Sequence, residues 1–244
     1  MKTLHATWEL ENIGVNAYEI AMDANDAPDL LAEEEARLKA LGAQYIVVKT
    51  PVDCPKLLFG LSQLGYTFVE MVFHVMVERQ SYHMPQLIAR FDRGLSVVRR
   101  ESEDDLERIF SLIRKGMFVS DRVSIDPAFS VALGGNRYAN WLGSMLQKGA
   151  YLYEVLSGDR PIGFFVILRK DETTVDPVLM GMYDAQNDRG MGALLHKKTL
   201  DTCFTLPCDK LTSTIVSNNA KVLRVYTNAG ASITDTLYTY VKHL

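Results

Sequence analysis

The chain is poor in the features that would mark it for export, for metal binding or for a polyanionic partner. It has three cysteines, Cys54, Cys203 and Cys208, an odd number without C-x-x-C spacing, so neither a disulfide framework nor a zinc knuckle is indicated. Buried, reduced thiols are expected. Its five histidines, His5, His74, His83, His196 and His243, are scattered without the i, i+4 or clustered spacing of metal ligands. They read as structural or surface residues, and no metal is expected. There is no Lys/Arg-rich run and the formal charge is −4, which removes the electrostatic footprint of a nucleic acid or an anionic membrane as partner. No apolar run approaches the ~20 residues needed to span a bilayer, and Glu9 and Glu11 lie where a signal peptide would be apolar. The cytoplasm is the expected compartment.

What is present is the balance of an ordinary globular protein, with 48% hydrophobic and 23% charged residues. A chain of 244 residues makes one large domain or two small ones. Its most informative segment is Asn187-Asp188-Arg189-Gly190-Met191-Gly192-Ala193, between a strand-like and a helix-like stretch. Two glycines at alternate positions opening a helix let backbone N–H groups close around a phosphate. Plain turn chemistry between a strand and a helix gives the same pattern.

A second feature is internal. Lys56–Val77 aligns with Lys221–Lys242 at an offset of 165, each copy reading as a short helix, a glycine (Gly65, Gly230) and an alternating strand. Each glycine falls where a helix ends in a left-handed residue before the strand. Where the second copy has Asn219 and Tyr226, the first has Cys54 and Leu61, and its upstream helix, Ala32 to Leu41, is acidic with no glycine pair before it. This pattern predicts a supporting N-terminal lobe over residues 1–92 and a lobe carrying the chemistry over 93–244, joined through Gln80 to Gly94.

In the second lobe the expected order is β-α-α-β-β-β-α-β-α-β, a mixed α/β sheet with helices on both faces. Strands are expected at Leu95–Arg99, Tyr151–Leu156, Ile162–Leu168, Asp176–Tyr183 and Lys210–Val216, and helices at Glu101–Lys115, Arg137–Lys148 and Gly192–Phe204. Ser102 with Asp105 forms a carboxylate variant of the capping box, and Met117 to Phe129 reads as a loop.

This order, with a glycine-loop helix after the fourth strand and a Tyr-bearing helix after the fifth, resembles the GNAT acyltransferase superfamily. The family pattern Gln/Arg-x-x-Gly-x-Gly/Ala falls on Asn187, Gly190 and Gly192, with Asn187 departing from it and Arg189 supplying a charge next to the glycine. Over nearly the full length the chain is similar to the amino-sugar N-acetyltransferases of the TDP-fucosamine acetyltransferase kind. The likeness rests on Leu64-Gly65-Tyr66-Thr67-Phe68-Val69-Glu70, on Phe118, Arg122 and Asp126-Pro127 before Tyr138-x-x-Trp141, and on the tail from Asn219-Ala220 through Leu223 and Tyr226 to Gly230-Ala231.

The resemblance implies a GNAT-like fold preceded by a truncated, degenerate GNAT-like lobe, and acetyl transfer from acetyl-CoA to a primary amine, an amino sugar on a nucleotide being the expected acceptor. It also implies the roles. The amides of Arg189, Gly190, Met191, Gly192 and Ala193 would bind the pyrophosphate at a helix N-terminus. The backbone of Leu179, Met180 and Gly181 would meet the pantetheine arm if that strand splays from the next, and Asn219 would hydrogen-bond the arm. Tyr226 would be the general acid, since a phenol of pKa ~10 can protonate a departing thiolate. Asn219 also fits an ordinary N-cap and Tyr226 a core aromatic. Asp121, Arg122, Tyr138 and Trp141 would shape the acceptor pocket, or form a salt-bridged loop over an amphipathic helix. The base is open among Asp121, Asp126, Asp176 and Asp184. Another amine acceptor, or a non-catalytic acyl-CoA-binding protein, remains an alternative, and a monomer or a homodimer is expected.

Overall fold

In the computed structural model the described residues are 1–184 and 190–244, with all their side chains except those of Leu87, Ala89 and Arg93. Asn187, Asp188 and Arg189 of the glycine segment lie outside them. The first half runs β1 (Lys2–His5), α1 (Thr7–Ile13), β2 (Ala17–Ala21), α2 (Pro28–Ala40), β3 (Tyr45–Pro51), α3 (Pro55–Gln63) and β4 (Thr67–Glu78). A connector with the short helix α4 (Gln86–Arg90) leads to β5 (Leu95–Arg99). Then come α5 (Glu103–Arg114), α6 (Arg122–Ile125), α7 (Val131–Gln147), β6 (Tyr151–Ser157), β7 (Arg160–Arg169), β8 (Thr174–Met182), α8 (Met191–Thr205), β9 (Lys210–Val216), α9 (Ala220–Asn228) and β10 (Ser232–His243).

Local chemistry sets several of these bounds. Ser102 Oγ accepts from the Asp105 amide and donates to its carboxylate at 2.8 Å, starting α5 as a capping box. Ser130 Oγ accepts from the Leu133 amide and starts α7 six residues before the expected Arg137. The expected loop from Met117 holds a single turn, α6, because Asp121 caps it through the amides of Val123 and Ser124.

The ten strands of the described residues join in one sheet, in the order β1-β2-β3-β10-β4-β9-β8-β7-β6-β5. The two halves exchange strands at its centre: β4 of the first pairs with β9 of the second, and β10 of the second pairs with β3 of the first. The repeat seen in the sequence extends beyond its matching residues. Tyr45–Pro51, Pro55–Gln63 and Thr67–Glu78 recur as Lys210–Val216, Ala220–Asn228 and Ser232–His243, all at the offset of 165. Gly65 (φ +80°) and Gly230 (φ +90°) make the same left-handed turn between helix and strand. In the β4–β10 ladder Val72 faces Leu237, its own counterpart, so that pair marks a pseudo-twofold axis.

Helices cover both faces. On one, α5 and α7 pack Ile109, Ile113, Leu142 and Met145 on Leu152, Phe164 and Val166, while α1 lies against α7. On the other, α8 and α9 bury Leu195, Leu200 and Tyr226 against Val75, Phe165 and Ile215, and α2 and α3 bury Leu31, Leu38, Leu57 and Leu61 against Ile20, Ile46 and Val48. All three cysteines are buried and unpaired, and no helix among the described residues is long and apolar enough to cross a membrane.

Candidate functional site

Among the described residues the sheet parts between β8 and β9. Parallel strands β8 and β9 pair only at Thr174–Lys210 and Val175–Leu211, after which β8 continues beside β7 to Met182 and β9 beside β4 to Val216. From Asp176 onward the β9-facing edge of β8 has no strand partner among the described residues. Two local features bend β8 away: Pro177 brings no N–H, and the β7–β8 register slips between Val166–Leu179 and Ile167–Pro177, a bulge that increases twist. In the first half the corresponding parallel pair, β2 and β3, stays in register over all five residues of β2, Ala17 to Ala21.

Arg189 lies outside the described residues, and the other expected cofactor residues lie on the elements that border this gap. Leu179, Met180 and Gly181 lie on the freed stretch of β8. Gly190, at φ +88°, is the N-cap of α8 and offers no side-chain cap to the first-turn amides of Met191, Gly192 and Ala193. A Cβ on Gly192 would stand 3.3 Å from Met182 Sδ at the end of β8, so the start of α8 is pressed close to the gap. Asn219 precedes α9, and its side chain makes no capping hydrogen bond.

Tyr226, on α9, is 2% exposed within the core. Its ring meets His196 of α8 edge-on at 6.1 Å and its hydroxyl lies near Ser213 of β9, so it packs between α8 and β9. Burial raises its pKa above the ordinary phenol value, which keeps it protonated. Burial also takes His196 down to about 4, leaving it neutral near pH 7, and its Nδ1 is buried without a partner.

On the opposite face, the loop before α6 closes over β8. A Cβ on Gly181 would stand 2.3 Å from Met117 Sδ and 3.2 Å from Phe118. Phe118 stacks on Tyr138 at 4.3 Å, and Trp141, 37% exposed, sits 6.0 Å from Tyr138 at the rim. Beyond Tyr138 lies an ion cluster. Glu9 of α1, fully buried, meets Arg122 at 2.5 Å and Arg137 at 2.9 Å, and Arg137 also faces Asp121 at 3.7 Å. Burial alone would raise the Glu9 carboxyl, but the hydrogen bond from Arg137 and the charges of both arginines hold it lower. For Asp121 burial is likewise outweighed, by Ser124, Arg137 and the Val123 amide. Asp121, Arg122 and Tyr138 are therefore brought together.

Four buried polar atoms beside this cluster have no partner: Tyr45 Oη, Glu70 Oε2, Arg122 Nε and Thr239 Oγ1. An unsatisfied buried polar group costs ~1–3 kcal/mol, so four in one region mark a place left for a polar ligand or water. Burial pushes the Glu70 carboxyl up to about 7, Arg122 opposing and Asp121 adding to the shift. None of Glu70, Tyr45, Thr239 and His196 stood out in the sequence. Glu70 lies in an alternating strand where a charged residue ordinarily faces water, and its burial depends on α6 and α7, far away in the chain. The candidate bases are otherwise engaged: Asp121 as a cap, Asp126 with His243 at 2.8 Å, Asp176 with Lys170 at 2.5 Å, and Asp184 with a partner of its own.

A shallow concavity of about 590 Å³ around Lys148, Arg169, Lys170 and Pro207 lies where β8 begins, away from the gap. No group of three or more His, Cys, Asp or Glu residues is placed to hold a metal among the described residues.

No protein family and no curated protein matches the chain. Solved structures do. A conserved protein of unknown function from Staphylococcus epidermidis superposes with a TM-score of 0.63 at 12% identity, over 93% of this chain and 84% of that one. A GCN5-related N-acetyltransferase from Kribbella flavida gives 0.57 at 14% identity, over 93% and 80%. The GCN5-related glucosamine N-acetyltransferase region of a fungal multidomain GH3 β-N-acetylglucosaminidase gives 0.62 at 13% identity, over 86% of this chain and 27% of that protein. The fold is that of the GCN5-related N-acetyltransferases. At these identities the likeness is one of fold.

Proposed function

We propose that this protein transfers an acyl group, acetyl in the simplest case, from a CoA thioester to a primary amine. The observation that carries the reading is the gap between β8 and β9, beside the start of α8 and with Tyr226 packed between α8 and β9. The gap can admit an extended amide-bearing arm, since the free edge of β8 offers main-chain groups on Leu179, Met180 and Gly181 that no strand takes. The amides of Met191, Gly192 and Ala193 and the helix dipole would hold a diphosphate, with Gly190 as the N-cap before them. Asn219, free of capping duty, would hydrogen-bond the arm.

A bound thioester supplies an electrophilic carbonyl and a sulfur leaving group. Tyr226, kept protonated by burial, would give its proton to that sulfur. The acceptor would come from the opposite face, past Phe118, Tyr138 and Trp141, toward Asp121 and Arg122. An amino sugar is the acceptor class we favour, on the sequence likeness and on the polar character of that face. Residues 1–92 would act as a supporting lobe without a cofactor site, in keeping with β2 and β3 remaining paired where β8 and β9 part.

The test is release of free thiol from acetyl-CoA in the presence of a panel of primary amines. Amine-dependent release supports the reading. Binding of acetyl-CoA with no release for any amine would instead make the chain an acyl-CoA-binding protein.

A further inference from the structure

We propose that Glu70, Thr239, Tyr45 and the Nε of Arg122 form a subsite for a hydroxylated primary amine, in which Glu70 holds the ammonium and takes its proton. The proton-transfer part rests on the acyl-transfer reading above, and the binding part does not.

The charges point to a cation. Arg122 and Arg137 are matched by Glu9 and Asp121, and Lys49 by Glu19 at 2.6 Å. Glu70, only 5% exposed, is the acid in this region without a counter-ion among the described residues, and its Oε2 has no hydrogen bond. A buried carboxylate in that position is satisfied by an ammonium. The other unpartnered atoms suit the rest of such a ligand. Thr239 stands directly opposite Glu70 in the β4–β10 ladder and opposite Lys49 in the β10–β3 ladder, so the Thr239 and Glu70 side chains share one face. Tyr45 Oη on the same face and Arg122 Nε on α6 leave a hydroxyl and an N–H donor for ligand oxygens.

The position fits the reaction. β9 ends at Val216, paired with Val72, and β4 carries Glu70 two residues further, past the end of β9. Tyr138 connects the region to Phe118 and thereby to Gly181 on the freed edge of β8. In the step itself, Glu70 as carboxylate accepts one proton from R–NH3⁺ and becomes neutral. The nitrogen lone pair then forms the C–N bond to the thioester carbonyl carbon. As the C–S bond breaks, sulfur leaves with its bonding pair and takes a proton from Tyr226. The phenolate recovers a proton from the former amine nitrogen, and Glu70 returns its own to solvent. The groups facing Glu70 are Arg122 and Asp121 at α6, Arg137 and Tyr138 on α7, and Lys49 on β3. With burial pushing its carboxyl up to about 7, it can exchange a proton near neutrality.

The experiment measures melting of the full chain near pH 7 with excess glucosamine, excess N-acetylglucosamine or acetyl-CoA. The expected result is a rise with glucosamine and none with its neutral N-acetyl form, the rise fading at lower pH as Glu70 protonates and at higher pH as the amine loses its charge. Glu70→Gln should weaken glucosamine binding about tenfold or more, and Thr239→Val should weaken it less. Both variants should keep the acetyl-CoA response, which shows that they are folded. Equal glucosamine responses in wild type and Glu70→Gln, or none in wild type, would overturn the proposal. A Glu70-dependent glucosamine response without any acetyl-CoA response would sink acyl transfer and leave the amine subsite standing.

Discussion

Tyr226 is a packed core aromatic, and the proposed function would make it a proton donor as well. At 2% exposure it is part of the core, with its ring against His196 of α8 and its hydroxyl near Ser213 of β9. Tyr226→Phe should keep the fold and the acetyl-CoA response and slow amine-dependent thiol release by about 10²–10⁴-fold. An unchanged rate, followed by thiol titration, would leave it a packing residue. Glu9 shows the opposite balance, because its importance is structural. Removing its charge in Glu9→Gln leaves Arg122 and Arg137 buried without their acid, at a cost of ~3–5 kcal/mol, or roughly 10 °C in Tm for a chain of this size, read by thermal unfolding. The pH dependence has two limbs. Glu9 and Asp121, held low, contribute stability that is present above their unfolded values, 4.5 and 3.8, and lost as pH falls through their folded values. Glu70, raised from 4.5 to about 7, contributes stability present below 4.5 and lost as pH rises through 7. Denaturant titrations across pH should therefore show a loss on the alkaline side that Glu70→Gln abolishes.

At the scale of elements, the parting of β8 from β9 and the start of α8 would make the proposed cofactor site. Gly190→Ala would place a side chain at φ +88°, costing ~1–2 kcal/mol and disturbing the first amides of α8. The acetyl-CoA response should shrink more than the baseline Tm falls, and an undiminished response would mean those amides do not meet the diphosphate. Elements with strong local chemistry were legible in the sequence. The Ser102 cap started α5 where expected, Lys210–Val216 is a strand with those bounds, and the helix–glycine–strand repeat holds in the structure. Elements fixed by distant contacts were not. The turn α6 depends on a carboxylate cap inside an Asp/Arg/Pro loop, and β1 and α1 have no clear period. The burial of Glu70 and the neutrality of His196 follow from what packs over them, which a strand or helix pattern does not carry.

The whole molecule is one sheet folded about a pseudo-twofold axis at Val72–Leu237, and the strand exchange ties its halves together. Neither half closes its own sheet: without β4, β9 loses its neighbour, and without β10, β3 loses one edge. Residues 93–244 expressed alone should therefore aggregate or fail to fold through the bared edges of β9 and β10, whereas the full chain should unfold in one transition by calorimetry. A soluble, cooperative fragment would show that the halves are independent. The exchange also explains how Tyr45 and Glu70 of the first half come together with Arg122 and Thr239 of the second.

The central claim is that the gap between β8 and β9 takes a CoA thioester, and its most direct test is the melting temperature of the full chain with excess acetyl-CoA against free adenosine. At a ligand concentration about one hundred times Kd, the expected stabilisation is ~2.7 kcal/mol, several degrees for a chain of this length. A shift of that size with acetyl-CoA and little with adenosine is the predicted result. No shift, or one that adenosine reproduces, would contradict the account.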